Sequence, residues 1–203
     1  LGARKLTIGL FVLLWAFRLG TFLFSRIRSA GEDSRFKVIK TNFFQFLMTW
    51  SLQGLWVCVT CGAALAAITS DKQNSLGVFF FVGSAFWLVG FFVEVLADHQ
   101  KSEFNRELEN SGKFIHTGLW AWSRHPNYFG EIMLWSGLAV VALPVLEGWQ
   151  HVTLISPIFV FLLLTKISGI NLLERQAESR WGGDPHYQSY KRSTNVLIIW
   201  PFR

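Results

Sequence analysis

Five apolar segments, each about as long as a lipid bilayer is thick, constrain the fold of this chain more than any other feature. A helix needs roughly 20 residues to cross the hydrocarbon layer. The segments do not alternate apolar and polar residues, as the strands of a membrane β-barrel do. The sequence therefore predicts an all-α, polytopic transmembrane helical bundle with about five spans. We place the spans at about 5–25, 42–69, 76–96, 128–146 and 152–173.

The composition fits one membrane domain. The chain has 203 residues, of which 51% are hydrophobic, and this is the length of a single domain. We predict one membrane-embedded domain over residues 1–203, in which residues 174–203 form an amphipathic C-terminal tail. The chain begins with Leu rather than Met, so we expect the natural N-terminus to be missing or processed. No basic run with interleaved aromatic residues indicates nucleic-acid binding.

Basic residues are concentrated on one side of the predicted membrane. Cytoplasmic loops of membrane proteins are enriched in Lys and Arg, whereas the opposite loops here contain Arg4, Lys5 and Lys72 alone. The pattern predicts an outside N-terminus and a C-terminus on the basic, cytosol-equivalent side. The basic-side residues are Arg26, Arg28, Arg35, Lys37 and Lys40 in the first loop, Lys101, Arg106, Lys113 and Arg124 in the third, and Arg175, Arg180, Lys191, Arg192 and Arg203 in the tail.

Polar side chains collect where the third span ends and the fourth begins. Glu94 and Asp98 are spaced i, i+4, as are Asn127 and Glu131, so each pair shares one helix face. Pro126 suits a first helical turn, and the free N–H groups of such a turn favour an anion. Ionisable groups at membrane depth are costly and often functional. This stretch is therefore the candidate site.

Two interpretations of this stretch remain open from the residues themselves. In one, Glu94, Asp98, Arg124 and Glu131 form a structural ion-pair network at the membrane edge. In the other, Arg124 and His125 hold a phosphate or pyrophosphate, and nearby carboxylates bind ribose hydroxyls or an amide. The glycine-rich nucleotide motifs are absent from the sequence, so side chains and helix ends would have to hold a nucleotide.

Gln53 is a polar residue in the middle of the second predicted span. Its amide either joins helices by a hydrogen bond or faces a substrate cavity, and the sequence favours neither. The spacing of His99, His116 and His125 matches no familiar metal-ligand pattern.

Several segments together resemble the steroid 5-alpha-reductase C-terminal-like membrane proteins, the DUF1295 group. The segments are AFRLGTFLFSRIRSAGEDSRF, SLQG, FFVEVLADHQKSEF, GLWAWSRHPNYFGE, SGINLLE and YQSYKRSTNVLIIWPF. The likeness covers nearly the whole chain and implies that one or two N-terminal spans of the family are absent. It also implies a helical membrane fold with NADPH between spans on the cytosolic side, where a C=C bond of a steroid-like or fatty enone is reduced.

The resemblance also implies a set of site residues. Asp98, Asn127 and Glu131 match cofactor-contacting positions of the family, and the tail, through Tyr190 and Arg192, resembles an element that closes over the cofactor. The cofactor-binding set that we predict is Glu94, Asp98, Arg124, His125, Asn127, Tyr128, Glu131, Glu174, Tyr190 and Arg192.

The implied reaction needs an acid. Hydride delivered to the β-carbon of an enone leaves an enolate, which must be stabilised and protonated. The position at which the characterised steroid reductases have a tyrosine is Trp15 in this chain, and an indole is no acid. Tyr128 and Gln53 are the nearest candidates for a catalytic role, unless the chain no longer catalyses this reaction.

Two other functions remain open. One is a methyltransferase of the isoprenylcysteine carboxyl type using S-adenosylmethionine, since that class also has an RHP-x-Y motif before a span. The other is a non-catalytic, reductase-fold subunit of a larger membrane complex. In each case the expected partners include the lipid bilayer, and for an enzyme also a lipophilic small molecule.

Overall fold

The computed structural model describes residues 2–30 and 41–200. Within these ranges the secondary structure is helical, with a single parallel bridge between Ser123 and Asn195, which confirms the all-α prediction. Arg35, Lys37, Lys40 and Arg203 of the predicted basic segments lie outside the described residues. The α-helices are α1 Ala3–Ala30, α2 Phe43–Thr60, α3 Gly62–Thr69, α4 Val78–Arg106, α5 Pro126–Ala142, α6 Ser156–Leu162, α7 Ile170–Trp181 and α8 Pro185–Ser193.

The helices provide four to five candidate membrane spans. Four segments are long and apolar enough by themselves, and the pair α2 and α3 makes a fifth if it is one span. This agrees with the predicted number. Which end of each span faces the cytosol stays a prediction. The four segments are Ala3–Ser25, Val78–Arg106, Pro126–Val145 and Gly148–Trp181.

The second predicted span, 42–69, consists of two helices rather than one continuous helix, and that the pair crosses the membrane as one span stays a prediction. α2 and α3 meet at Cys61 and are bent by 56°. After Thr60 the large side chains of α2 give way mostly to glycine and alanine, and all four alanines of α3 are buried. At the bend, Ser156 Oγ donates a hydrogen bond to the carbonyl oxygen of Thr60. Small residues and this remote hydroxyl together allow the change of direction.

The last span is also interrupted. A 3-10 segment, Gly148–Ile155, leads into α6, and a π-turn, Leu163–Ile167, follows it before α7 begins. A side chain at Gly169 would collide with the carbonyl oxygen of Leu164, so only glycine fits this break. Beyond it, α7 and α8 are joined by a short turn that contains Gly182 and Gly183, and Pro185 is the first residue of α8. Together they carry Glu174 and Tyr190 of the predicted site.

Contacts divide the chain into two compact units. The first comprises Leu1–Phe81 and Ala139–Ser156, and the second comprises Val82–Leu138 and Pro157–Arg203. In the first unit the buried guanidinium of Arg4 donates hydrogen bonds to the carbonyl oxygens of Val141, at 2.7 Å, and Ser75, at 2.8 Å. These bonds fasten the start of α1 to the end of α5.

In the second unit, α4 and α5 pack through glycines. A Cβ built on Gly90 would lie 2.6 Å from the carbonyl oxygen of Gly130, and one on Gly137 would lie 2.5 Å from that of Gly83. Both distances are too short for any side chain. Gly83 pairs with Gly137 and Gly90 with Gly130, so the two helices run antiparallel. Small residues let helices in lipid approach closely enough for extensive van der Waals contact.

We predict that Gly137→Ala destabilises the protein. Its methyl group would be forced against the Gly83 carbonyl oxygen, and overpacking of this kind costs about 1–3 kcal/mol. The free energy of unfolding, measured by SDS titration in mixed micelles, checks this. Gly54→Ala in α2 is the control, because nothing lies within 4 Å of its Cβ position. Equal stability of both variants would contradict the close contact.

Candidate functional site

The contact between α4 and α5 continues into the first part of the candidate site. Glu94 is buried beside Gly130, and one turn further along α4 the carboxylate of Asp98 accepts a hydrogen bond from Asn127 Nδ2 at 3.2 Å. Glu131 is partly buried one turn after Asn127 on α5. The structure thus brings Glu94, Asp98 and Asn127 together, on the two helix faces that the i, i+4 spacing predicts.

A second cluster joins the residues before α5 to α7. Glu174 Oε1 lies 2.9 Å from His125 Nε2, and Glu174 Oε2 lies 3.3 Å from Arg124 Nη2. The side chains of Arg124 and His125 are only 10% and 7% exposed, so both need a polar partner. The ring of Tyr128 stacks on that of His125, with centroids 5.6 Å apart. One carboxylate therefore holds both polar side chains of the RHP motif.

The C-terminal tail is fastened to the same segment. The backbone N–H of Arg124 donates to the carbonyl oxygen of Asn195 at 2.8 Å, and its Nη1 donates to that of Lys191 at 3.3 Å. Tyr190 OH donates to the carbonyl oxygen of Trp120 at 2.7 Å. Burial raises the pKa of Tyr190 well above its ordinary value, so its phenol stays protonated and keeps this bond. That the tail closes over a cofactor stays a prediction.

A cleft of about 780 Å³ opens beside this second cluster. Among the described residues, four basic side chains and one carboxylate, Glu174, line it, so it favours an anionic ligand. Aromatic rings form much of the remaining wall. The basic residues are Lys101, Lys113, Arg124 and Arg180, and the aromatic residues are Phe114, Trp120, Trp181, Tyr187 and Tyr190.

The predicted residues are distributed over three places. Of the predicted cofactor-binding set, Arg124, His125, Glu174 and Tyr190 line the cleft. Glu94, Asp98 and Asn127 lie at the contact between α4 and α5. Arg192 is exposed on α8, where its Nε donates to the Gln188 carbonyl oxygen. Gln53 is exposed on α2, in the first unit. The roles of all these residues stay predictions.

Sequence reasoning missed the other side chains of the cleft. The sequence analysis assigns Lys101, Lys113 and Arg180 to membrane orientation alone and gives Phe114 and Trp181 no role in binding. A signal was present, since Lys113 directly precedes Phe114 and Arg180 directly precedes Trp181. A basic residue beside an aromatic one, outside the apolar spans, is a pattern that suits a phosphorylated aromatic ligand.

Fold and composition define the class, an integral, multi-pass, α-helical membrane protein. The chain belongs to the family described as "Protein of unknown function (DUF1295)", whose model matches residues 1–194. This confirms the resemblance that the sequence motifs carry.

Curated relatives support the same relationship. The chain is 31% identical over 119 residues to 3-oxo-5-alpha-steroid 4-dehydrogenase 1 of Bos taurus, covering 59% of this chain and 41% of the relative. The Rattus norvegicus protein of the same name is 29% identical over 119 residues, covering 59% and 40%. An uncharacterised Schizosaccharomyces pombe protein is 24% identical over 164 residues, covering 66% and 47%. The chain thus spans about two-fifths of the steroid dehydrogenases that it matches. No solved structure matches it.

We predict that Glu174→Gln destabilises the protein by about 2–4 kcal/mol, because it leaves the largely buried charge of Arg124 without its carboxylate. Glu178→Gln, one turn later on α7, is the matched control. It removes an exposed pair with Lys191, and pairs of this kind contribute little. Unfolding free energies of the two variants provide the comparison, and equal effects would show that Glu174 does not compensate a buried charge.

We also predict a pH dependence that originates at His125. Burial lowers the pKa of His125 below its ordinary value of 6.5, although Glu174 opposes the shift. Below pH 6.5 the unfolded chain takes up a proton that the folded chain resists, so this residue's contribution to stability is complete above pH 6.5 and falls on acidification. Melting temperatures between pH 7.5 and 5.5 should therefore decline less steeply in His125→Gln than in the wild type. His186→Gln, at an exposed residue of α8, should leave the wild-type slope unchanged, and parallel curves for all three proteins would refute the assignment.

Proposed function

We propose that this chain is an NADPH-dependent reductase of an activated C=C bond in a lipophilic substrate, either steroid-like or a fatty enone. The cleft beside Arg124, His125 and Glu174 carries the proposal. Its volume of about 780 Å³ lies within the range of small-molecule sites, and its excess of basic side chains suits a ligand with several phosphates. The names of the bovine and rat relatives, which are steroid dehydrogenases, support the same class of reaction.

The residues that are present fit such a cofactor. Arg124 and Lys101 line the cleft and are suited to the pyrophosphate, whereas the carboxylate of Asp98 and the amide of Asn127, already joined to each other, are suited to hydroxyl and amide groups. When bound, NADPH supplies a hydride. The chain itself must hold the substrate in a dry site and stabilise the enolate oxygen.

Tyr128 is the residue that we propose as the acid. It lies in the first turn of α5, stacked on His125 and adjacent in sequence to Asn127. A phenol can both polarise a carbonyl and release a proton. The amide of Gln53 can donate a hydrogen bond but is no proton source, so its role would be limited to orienting the substrate.

A non-catalytic role in a larger membrane complex is the alternative, and Trp15 favours it. Trp15 is buried in α1, at the position where the family resemblance implies a tyrosine acid. In this alternative the chain retains the nucleotide cleft without turnover. Binding and turnover must therefore be measured separately.

We predict that the purified protein in nanodiscs binds NADPH, and that native mass spectrometry releases a dinucleotide from it. Asn127→Ala and Glu131→Ala should each lower the affinity for NADPH about 5- to 30-fold, as expected for the loss of one or two polar contacts. Ser136→Ala on the same helix is the control, since its hydroxyl donates a hydrogen bond to the Ile132 carbonyl oxygen of its own helix. Binding of S-adenosylmethionine without NADPH would contradict the reductase proposal and favour the methyltransferase.

The same preparation tests catalysis. Tyr128→Phe should abolish NADPH consumption with enone substrates while changing NADPH affinity less than about threefold, because it removes a hydroxyl but keeps the stacked ring. Normal turnover by this variant would exclude Tyr128 as the acid. NADPH binding by the wild type with no turnover on steroid or fatty enones would favour the non-catalytic alternative.

A further inference from the structure

An aromatic surface forms one part of the cleft wall. The ring centroid of Phe114 lies 6.0 Å from that of Trp181 and 5.2 Å from that of Tyr187, and the last two are 5.9 Å apart. All three residues line the cleft; Tyr187 is buried, and Phe114 and Trp181 are half-buried. Trp181 is fixed by a hydrogen bond from its Nε1 to the Gly112 carbonyl oxygen, at 2.6 Å. The planes of Phe114 and Trp181 are inclined by 60°, so a planar ring can stack on the face of one of them and contact the edge of the other.

Two uncompensated cations adjoin this surface. Lys113 and Arg180 line the same cleft, and within the described part of the chain neither forms an ion pair. Arg124, in contrast, is paired with Glu174, and Lys191 outside the cleft is paired with Glu178. In addition to Arg124 and Lys101, the cleft thus has two positive charges next to its aromatic residues that pair with no carboxylate of the described residues.

We infer that this part of the cleft binds an adenosine 2′-phosphate, with the base on Phe114 and Trp181 and the 2′-phosphate between Lys113 and Arg180. The inference rests on the proposed function and specifies which side chains select NADPH over NADH. A purine stacks on an aromatic face with little dependence on its edge, so the rings supply affinity for any adenine nucleotide. The 2′-phosphate is a dianion, and cationic donors without a protein carboxylate partner are those best able to bind it.

Nucleotide fragments test the inference without any turnover. Isothermal titration in nanodiscs would compare adenosine 2′,5′-bisphosphate, adenosine 3′,5′-bisphosphate and 5′-ADP. The wild type should bind the 2′,5′-compound at least about tenfold more tightly than 5′-ADP, because a single charge-assisted contact changes the affinity by about this factor. Preference for the 3′,5′-compound would indicate a coenzyme A thioester here instead and overturn the assignment.

Charge variants identify the side chains responsible. Lys113→Gln with Arg180→Gln should reduce the preference for the 2′,5′-compound to less than about threefold and leave 5′-ADP affinity nearly unchanged. Arg106→Gln is the control, because this exposed residue pairs with Glu103 and its removal changes the charge near the end of α4. An equal loss of affinity for both compounds, or an unchanged preference for the 2′,5′-compound over 5′-ADP, would refute the role of Lys113 and Arg180.

Ring variants test the base. Trp181→Leu should lower the affinity for adenosine 2′,5′-bisphosphate and for 5′-ADP alike, by about 5- to 100-fold, as for other base–aromatic contacts. The affinity for inorganic pyrophosphate should not change. Trp181→Phe should restore most of the affinity and thereby excludes misfolding as the cause. If NADPH binds but these variants change nothing, the inference fails and the reductase proposal stands. If the wild type binds neither NADPH nor any fragment, the reductase proposal itself fails.

Discussion

The close approach of α4 and α5 at Gly90 and Gly130 is the contact on which the candidate site depends. Lipid provides no hydrophobic force between helices, so van der Waals contact and polar bonds must hold them together. Gly130 lies three residues after Asn127, and Asp98 lies eight after Gly90 on a helix running the opposite way. The glycine contact thereby sets the register in which Asn127 reaches Asp98. A shift of one residue would turn either side chain by about 100° and separate them.

The basic side chains of the site differ in whether a carboxylate compensates their charge. Arg124 is largely buried and requires a partner, because an uncompensated charge there would be costly. Glu174 provides it, and the break at Gly169 allows α7 to begin where Glu174 reaches both Arg124 and His125. Lys113 and Arg180 are exposed and have no such requirement. Arg124 is thus held in the RHP segment by its carboxylate partner, whereas Lys113 and Arg180 form no ion pair within the described part of the chain.

The sequence predicts those features that depend on local pattern. Hydropathy over about 20 residues determines the spans, and the i, i+4 spacing places Glu94 with Asp98 on one face. Features that depend on contacts with residues far away in the chain cannot be predicted from local pattern. The bend at Cys61 depends on Ser156, and the compensation of Arg124 depends on Glu174, a residue 50 positions away. The seven-residue spacing of Gly83 with Gly90 and of Gly130 with Gly137 was a local signal of helix contact that hydropathy alone does not reveal.

Tyr128 lies beside both parts of the site, and this position is the physical argument for the catalytic role that we propose for it. Its ring stacks on His125 of the second cluster, and its neighbour in sequence, Asn127, bonds to Asp98 of the first. A dinucleotide that reaches from the cleft to the α4–α5 contact would pass this residue, at the start of an apolar span. The proposed lipophilic substrate would reach the same place from the membrane. Tyr128 therefore lies where a polar cofactor and an apolar substrate can meet, whereas Gln53 lies in the other unit.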